Sequence, residues 1–123
     1  MLIHFGGDGE APKVRRRRGE GRRAHDAYMT PMPLVEVIVD RVAGLFSDDA
    51  MPKIIEPSCG DGEFVSACHR MWPESTIAAI DIRAEVQAKI DAFCYRNVKF
   101  IHSDFLQTPS AIGADLIIGN PPY

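Results

Sequence analysis

Two glycines and one acid are the residues of this chain best suited to holding a small ligand. Gly60 and Gly62 stand in the segment Glu56–Phe64, EPSCGDGEF, where backbone N–H groups without neighbouring side chains can approach a ligand closely. Asp81 follows Gly62 by 19 residues, the separation at which nucleotide-binding folds place an acid that accepts hydrogen bonds from ribose hydroxyls. These features together predict a site for a nucleoside cofactor.

The same loop disfavours a dinucleotide. The pattern G-D-G-E-F lacks the third glycine of the dinucleotide fingerprint, and the carboxylates of Asp61 and Glu63 would repel a pyrophosphate. A nucleoside that carries an amino acid and no phosphate fits better. G-x-G alone also occurs in ordinary tight turns, and the two acids also suit a helix start, where they complement the helix dipole.

Residues in this pattern need strand ends to hold them, and the sequence predicts a regular alternation of strands and helices. Apolar segments bounded by turn residues predict strands, and apolar residues at helical spacing predict helices between them. This alternation favours an α/β fold with about four parallel strands and flanking helices, the N-terminal half of a Rossmann-like sheet. The predicted strands are KIIEP, TIAAID, VKFI and DLIIG. One predicted helix follows Gly62 and has Phe64, Val65, Cys68 and Met71 on one face. Another covers Ala84 to Tyr95, with Val86, Ile90 and Phe93 inward.

An earlier helix is predicted before the first of these strands. Thr30 has the chemistry of an N-cap, and Pro31 suits the first helical position. The helix is expected to end near Phe46 and to bury one apolar stripe, formed by Leu34, Ile38, Val42 and Leu45.

Length and composition fit one folded domain. The 123 residues are 46% hydrophobic and 25% charged, with a net charge of -3. Residues 1–27 carry seven Lys/Arg against four Asp/Glu. We therefore expect residues 1–26 to be a basic disordered tail and residues 27–123 to be the folded core. The tail is interpreted as a solvated extension, with contact to nucleic-acid phosphates as the alternative.

Several other classes of protein are disfavoured. No apolar run reaches the length of a membrane helix, and the N-terminus lacks the pattern of a secretory signal, so a cytoplasmic location is the default. Three cysteines without C-x-x-C spacing predict no disulfide scaffold. The Cys and His residues have no ligand spacing, so no metal site is predicted.

Four motifs occur in order along the chain: Tyr28-Met29-Thr30-Pro31, the loop Glu56–Phe64, Asp104-Phe105 and Asn120-Pro121-Pro122-Tyr123. In this order they resemble the S-adenosylmethionine-dependent adenine-specific DNA methyltransferases that carry an extra Y-x-T-P motif at the N-terminus. The resemblance spans residues 28–123 and implies a class I methyltransferase fold, S-adenosylmethionine as cofactor and DNA as partner.

The resemblance also implies the residues of a cofactor site. The Y-x-T-P element and Glu56 would hold the methionine part, Asp81 the ribose, and Asp104 the adenine amine, while Phe105 packs on the base. The full implied set is Tyr28, Thr30, Glu56, Cys59, Gly60, Gly62, Phe64, Asp81, Ile82, Asp104 and Phe105.

The N-P-P-Y motif carries the catalytic residues that the resemblance implies, Asn120, Pro121, Pro122 and Tyr123. An adenine amine is a poor nucleophile because its lone pair is delocalised, so catalysis should accept its hydrogen bonds and aim it for in-line attack. The Asn120 side-chain oxygen and the Pro121 carbonyl are two acceptors, and consecutive prolines stiffen the backbone. The Tyr123 ring can stack on a base flipped out of the duplex.

Two alternatives remain open. N-P-P-Y also occurs in methyltransferases for the glutamine amide of release factors and for ribosomal RNA, and a non-catalytic cofactor-binding fragment is the other possibility. The sequence stops after Tyr123, whereas the family has further strands and a target-recognition region. We therefore expect the core to be incomplete at its C-terminus, this chain alone to methylate DNA very poorly or not at all, and target recognition to come from a missing region or a partner chain.

Overall fold

A five-stranded sheet is the centre of the computed structural model, which describes residues 2–5, 29–108 and 113–121. The strands are arranged in the order β1-β5-β2-β3-β4. Along the chain, the elements are β1 (Leu2–Phe5), α1 (Met32–Ala43), β2 (Ile54–Glu56), α2 (Glu63–Met71), β3 (Ile77–Asp81), a 3-10 turn (Ala84–Val86), α3 (Gln87–Asp91), β4 (Val98–His102), a second 3-10 turn (Phe105–Gln107) and β5 (Leu116–Gly119).

The four predicted parallel strands are confirmed. β2 pairs in parallel with β3 on one side and with β5 on the other, and β4 pairs in parallel with β3. The chain therefore runs outward from β2 to β4 and then returns to β5 on the opposite side. This reversal beside β2 is the position where α/β sheets open a crevice for ligands at the carboxyl ends of the strands.

The edge strand β1 corrects part of the prediction for the N-terminal tail. Residues 2–5, which the basic composition of residues 1–26 predicts to be disordered, pair antiparallel with β5, with Leu2 opposite Gly119 and Phe5 opposite Leu116. The segment LIHF is apolar apart from one histidine, so it differs from the arginine-rich stretch on which the prediction rests. The rest of that tail, residues 6–26, lies outside the described residues.

The first helix begins one residue later than predicted, and its buried face overlaps the predicted stripe only at Val42 and the partly buried Ile38. Pro31 is the N-cap, and no side chain caps the helix. Leu34 and Leu45 are 51% and 68% exposed, so the predicted stripe is wrong at both ends. The buried face consists of Val35, Val39 and Val42, because α1 packs against α2 with this narrower row of valines.

The core lies between the sheet and its helices. Fully buried side chains come from both layers: Ile54, Ile77, Ile80, Leu116 and Ile118 from the strands, Val35 and Val39 from α1, and Val65 and Cys68 from α2. The third helix is shorter than predicted, since the chain leaves it after Asp91 and Cys94 has a positive φ of 55°. Among the described residues, no helix has both the length and the apolar character needed to cross a membrane.

Candidate functional site

The glycine loop lies at the carboxyl ends of β2 and β3, as the sequence predicts. The Cys59 backbone N–H donates to the carbonyl of Ile80 at 2.8 Å, which ties the loop to β3. The next N–H, that of Gly60, donates to Asp81 Oδ2 at 2.9 Å. The loop and the predicted ribose acid therefore form one hydrogen-bonded unit, although they are separated by 21 residues in the chain.

Gly62 is the N-cap of α2 and has φ 91° and ψ 22°, a left-handed conformation that favours glycine. A Cβ atom at this position would lie 2.5 Å from Cε2 of Phe93. Gly62 thus allows both the tight turn and the close packing of the segment after α3 against the loop.

Replacing Gly62 by alanine should destabilise the protein more than the same change at Gly113. Both glycines have positive φ, 91° and 81°, but a Cβ at Gly113 meets nothing within 4 Å. The backbone strain is shared, so the overlap with Phe93 should add about 1–3 kcal/mol to the loss at Gly62. Equal losses in urea unfolding of the two variants would show that Phe93 does not constrain the loop.

Asp81 ends β3 with its side chain buried, 3% exposed, and surrounded by donors. Besides Gly60, it accepts hydrogen bonds from the Arg83 backbone N–H at 2.9 Å and from Arg83 Nε at 3.1 Å, both on Oδ1, and from Arg83 Nη2 at 3.3 Å on Oδ2. Burial acts to raise the pKa of Asp81, but the donors of Arg83 and Gly60 together lower it below its ordinary value of 3.8. Asp81 is therefore held as a carboxylate.

Glu56 ends β2 and is also buried, at 2% exposed. Its Oε1 accepts a hydrogen bond from the Ser58 N–H at 3.1 Å. Burial, opposed by this hydrogen bond and reinforced by the negative charges of Asp81 and Glu63, raises the pKa of Glu56 from 4.5 to about 8. Two neighbouring strand ends thus present acids of opposite character, one ionised and one that retains its proton at neutral pH.

Gly119, the last residue of β5, lies directly against this acid. A Cβ atom there would overlap Oε1 of Glu56 and would lie 3.2 Å from Cδ of Pro57. The absence of a side chain at Gly119 therefore lets the Glu56 carboxyl group reach the strand that leads into Asn120.

Asp104 and Phe105 follow β4, next to the end of β3. The Ser103 N–H donates to the Asp81 carbonyl at 3.0 Å, which fixes the two strand ends together. The Asp104 carboxylate caps the 3-10 turn by accepting the Leu106 N–H at 3.0 Å and Gln107 Nε2 at 3.2 Å. Ile82, which follows Asp81 directly, is 67% exposed, so it presents an apolar surface to solvent beside the end of β3.

Asn120, immediately after β5, contacts the segment before α1. Its Nδ2 donates to Oγ1 of Thr30 at 3.1 Å, a contact between residues 90 positions apart. The first and last motifs of the sequence are therefore brought together. The other predicted site residues in these motifs, Tyr28, Pro122 and Tyr123, lie outside the described residues.

Two predicted cofactor residues are buried in the hydrophobic core. Cys59 is 3% exposed and Phe64 is 4% exposed, so their side chains anchor the loop from beneath. Burial also raises the pKa of the Cys59 thiol, which keeps it protonated. Within the described ranges, no group of His, Cys, Asp and Glu residues is arranged to hold a metal ion.

Two residues of this site were not predicted from the sequence. Arg83, two positions after Asp81, forms an ion pair with that acid, and a cation at this spacing was the available signal. Gly119 leaves space for the Glu56 side chain, and the sequence signal for this role was a glycine at the end of an otherwise apolar strand.

No family model matches this sequence, but it is similar to individual methyltransferases. Type II methyltransferase M.CvrRI of Paramecium bursaria Chlorella virus XZ-6E is 31% identical over 96 residues, which cover 78% of this chain and 24% of that protein. Modification methylase CviBIII of virus NC1A is 34% identical over 71 residues, or 57% of this chain and 19% of that protein. The chain thus spans about a quarter or less of the length of these relatives.

A relative of another kind is the release factor glutamine methyltransferase of Bacillus subtilis (strain 168). It is 26% identical over 108 residues, which cover 80% of this chain and 38% of that protein.

Solved structures share the fold. A modification subunit assigned to a type I restriction enzyme from Vibrio vulnificus YJ016 superimposes with a TM-score of 0.58 at 18% identity, over 80% of this chain and 25% of that one. Coclaurine N-methyltransferase, solved with N-methylheliamine and SAH, gives a TM-score of 0.54 at 13% identity, over 65% and 24% of the two chains. The described residues therefore have the Rossmann-like fold of class I methyltransferases.

Proposed function

We propose that this chain carries the S-adenosylmethionine site and the catalytic motif of an adenine-specific DNA methyltransferase of restriction–modification or phage type. It transfers a methyl group directly to the exocyclic amine of an adenine flipped out of the duplex. Residues 27–123, joined at the sheet edge by strand β1, form the cofactor-binding core, and the basic charge of the tail lies in residues 6–26. Four type II methyltransferases among the relatives, 26–34% identical to this chain, support this proposal.

One observation carries the proposal: the glycine that precedes Asn120 lies against the carboxyl group of Glu56. The predicted cofactor loop begins at Glu56, and the predicted catalytic motif begins at Asn120. A methyl donor held by the loop would therefore lie next to the acceptors of Asn120 and Pro121. This adjacency is what a direct transfer between two bound groups requires.

The charges at the sheet edge fit S-adenosylmethionine. The carboxylate of Asp81 is buried and available as a strong acceptor for ribose hydroxyls once Arg83 yields part of its contact. Asp61 and Glu63 add carboxylates around the loop, which suits a cofactor that carries ammonium and sulfonium charges. The cofactor, when bound, supplies an electrophilic methyl group on sulfur.

The residues of the last motif fit an amine substrate. Asn120 offers a carboxamide and Pro121 a backbone carbonyl, both of which accept hydrogen bonds from an amine. Acceptance of both amine protons turns the nitrogen lone pair toward the methyl donor. Tyr123 supplies the ring for stacking the flipped base, and target recognition comes from sequence outside this core or from a partner chain.

Calorimetric titration with S-adenosylmethionine tests the cofactor site. Asp81→Ala should weaken binding about 10- to 100-fold, because the acceptor of the ribose hydroxyls and the anchor of the Gly60 N–H are both lost. Asp91→Ala is the matched control, since Asp91 is exposed on α3 and should bind like the wild type. Equal affinity for Asp81→Ala and Asp91→Ala would contradict the assigned site.

Transfer of a labelled methyl group tests the substrate. Any label that the chain transfers, however slowly, should go to a duplex that contains adenine and not to poly(dG)·poly(dC), which presents the same phosphate backbone without adenine. Chromatography of the digested duplex should place the label on the adenine exocyclic nitrogen. Label on cytosine, or equal labelling of both duplexes, would contradict adenine specificity.

A glutamine amide is the second candidate substrate, favoured by the match to the release factor glutamine methyltransferase. The amide nitrogen is planar, as is the adenine amine, so the same acceptors would suit it. The Y-x-T-P element favours adenine, and its Thr30 contacts Asn120. Incubation with a release factor and labelled cofactor separates the two proposals, because only the second predicts label on protein.

A further inference from the structure

Thr30 is the only residue of the Y-x-T-P motif whose side-chain hydrogen bond is seen among the described residues. Its Oγ1 accepts from Asn120 Nδ2 at 3.1 Å, in a partly buried position. Both residues come from segments without regular structure, one just before α1 and the other just after β5. The contact therefore joins two loops that lie 90 residues apart in the chain.

The hydroxyl of Thr30 does not have the ordinary role of a threonine before a helix. No side chain caps α1, whose N-cap is Pro31, and the Pro31 carbonyl accepts from the N–H groups of Leu34 and Val35 at 3.0 and 3.1 Å. The polar group of Thr30 is thus directed to Asn120 and contributes nothing to helix capping. A role in positioning Asn120 accounts for this choice of partner.

We propose that Thr30 is a positioning residue that fixes the side-chain amide of Asn120 for the amine of the substrate. This inference rests on the proposed function and deepens it. A carboxamide has one nitrogen and one oxygen in a rigid plane, so holding the nitrogen on Thr30 sets the direction of the oxygen. The oxygen that accepts from the substrate amine is therefore aimed before the substrate arrives.

The backbone around Asn120 supports the same role. Pro121 restricts the conformation of the residue before it, and Gly119 is held in β5 against Glu56. The main chain of Asn120 is thus fixed on both sides, and the side-chain torsions are what remain to be set. The hydrogen bond to Thr30 is a contact that constrains them.

The resemblance to methyltransferases assigns Thr30 to the methionine part of the cofactor, which makes a different prediction. A residue that only contacts the cofactor changes cofactor affinity when its hydroxyl is removed. A residue that positions Asn120 changes the rate of transfer at saturating cofactor and leaves that affinity nearly unchanged. Thr30→Val removes the hydroxyl at nearly constant shape, and Thr30→Ser restores it without the methyl group.

The test combines NMR spectra of the Asn120 side-chain amide with single-turnover methyl transfer. The amide resonances, assigned by their loss in Asn120→Ala, should shift in Thr30→Val and return toward the wild-type position in Thr30→Ser. At saturating S-adenosylmethionine, Thr30→Val should transfer about tenfold more slowly than the wild type, with a cofactor Kd within about twofold, and Thr30→Ser should recover most of the rate.

Two results would overturn the inference. One is an Asn120 amide spectrum that is the same in Thr30→Val and the wild type, and the other is a cofactor Kd that rises as much as the rate falls. Failure of the proposed function is distinguishable, since a wild-type chain whose label appears on cytosine or on protein and not on adenine would contradict that function. The amide spectra would still decide whether Thr30 holds Asn120.

Discussion

Glu56→Gln should remove a large part of the pH dependence of stability. The pKa of Glu56 is raised from 4.5 to about 8, so between these values the folded protein holds a proton that the unfolded chain has released. Stability therefore falls as pH rises across this window. The free energy of unfolding of the wild type, relative to Glu56→Gln, should decrease by about 1.4 kcal/mol per pH unit, or about 3 kcal/mol between pH 5 and pH 7.5.

Urea unfolding at several pH values measures this difference. The glutamine variant keeps the shape and the acceptor for the Ser58 N–H but cannot ionise. The matched control is Glu74→Gln, because the Glu74 side chain is exposed. This variant should change the slope of the unfolding free energy against pH much less than Glu56→Gln. Parallel curves for the wild type and Glu56→Gln would mean that Glu56 does not bind the additional proton.

Asp81, at the next strand end, should act in the opposite direction. Its pKa is lowered by Arg83 and Gly60 despite burial, so its contribution to stability is present above the ordinary pKa of 3.8 and is lost as pH falls. The two pKa shifts differ in direction because of the hydrogen-bond donors. The Asp81 carboxylate accepts four hydrogen bonds, whereas Glu56 accepts one, from the Ser58 N–H. Neighbouring acids with pKa values driven apart are typical of functional sites.

The parallel sheet could be predicted because its signals are local. Strands β2 to β5 are short apolar segments bounded by glycine, proline or polar turns, and α2 has one apolar face that begins directly after Gly62. The position of the site then followed from the general rule that ligands bind at the carboxyl ends of such strands. No long-range contact had to be known.

The incorrect and missing parts depend on contacts that local patterns do not contain. Leu34 and Val35 are adjacent apolar residues, and only the packing of α1 on α2 selects Val35 as the buried one. Strand β1 was missed because the composition of the whole tail concealed four residues that pair with β5. The local pattern at Thr30 predicts an N-cap, because its actual partner, Asn120, lies 90 residues away and is not part of that pattern.

Asn120→Ala should lower the rate of methyl transfer about 100-fold or more, the effect expected when a preorganised polar contact to the reacting group is removed. Alanine has no side-chain acceptor for the substrate amine, and it also removes the contact with Thr30. Cofactor affinity should change little, because the loop at Glu56–Phe64 and Asp81 remain. Single-turnover incorporation of labelled methyl groups into duplex DNA measures the ratio of rates, so even a slow wild-type reaction suffices.

Asn97→Ala separates loss of catalysis from loss of an asparagine hydrogen bond. Asn97 precedes β4 at the opposite edge of the sheet and donates from Nδ2 to the Pro73 carbonyl at 2.7 Å. Its replacement removes a comparable contact far from the proposed chemistry and should leave the rate within about twofold, at some cost in stability. If Asn120→Ala transferred as fast as Asn97→Ala, the acceptor would have to come from elsewhere, and Asn120 would be part of a structural turn after β5.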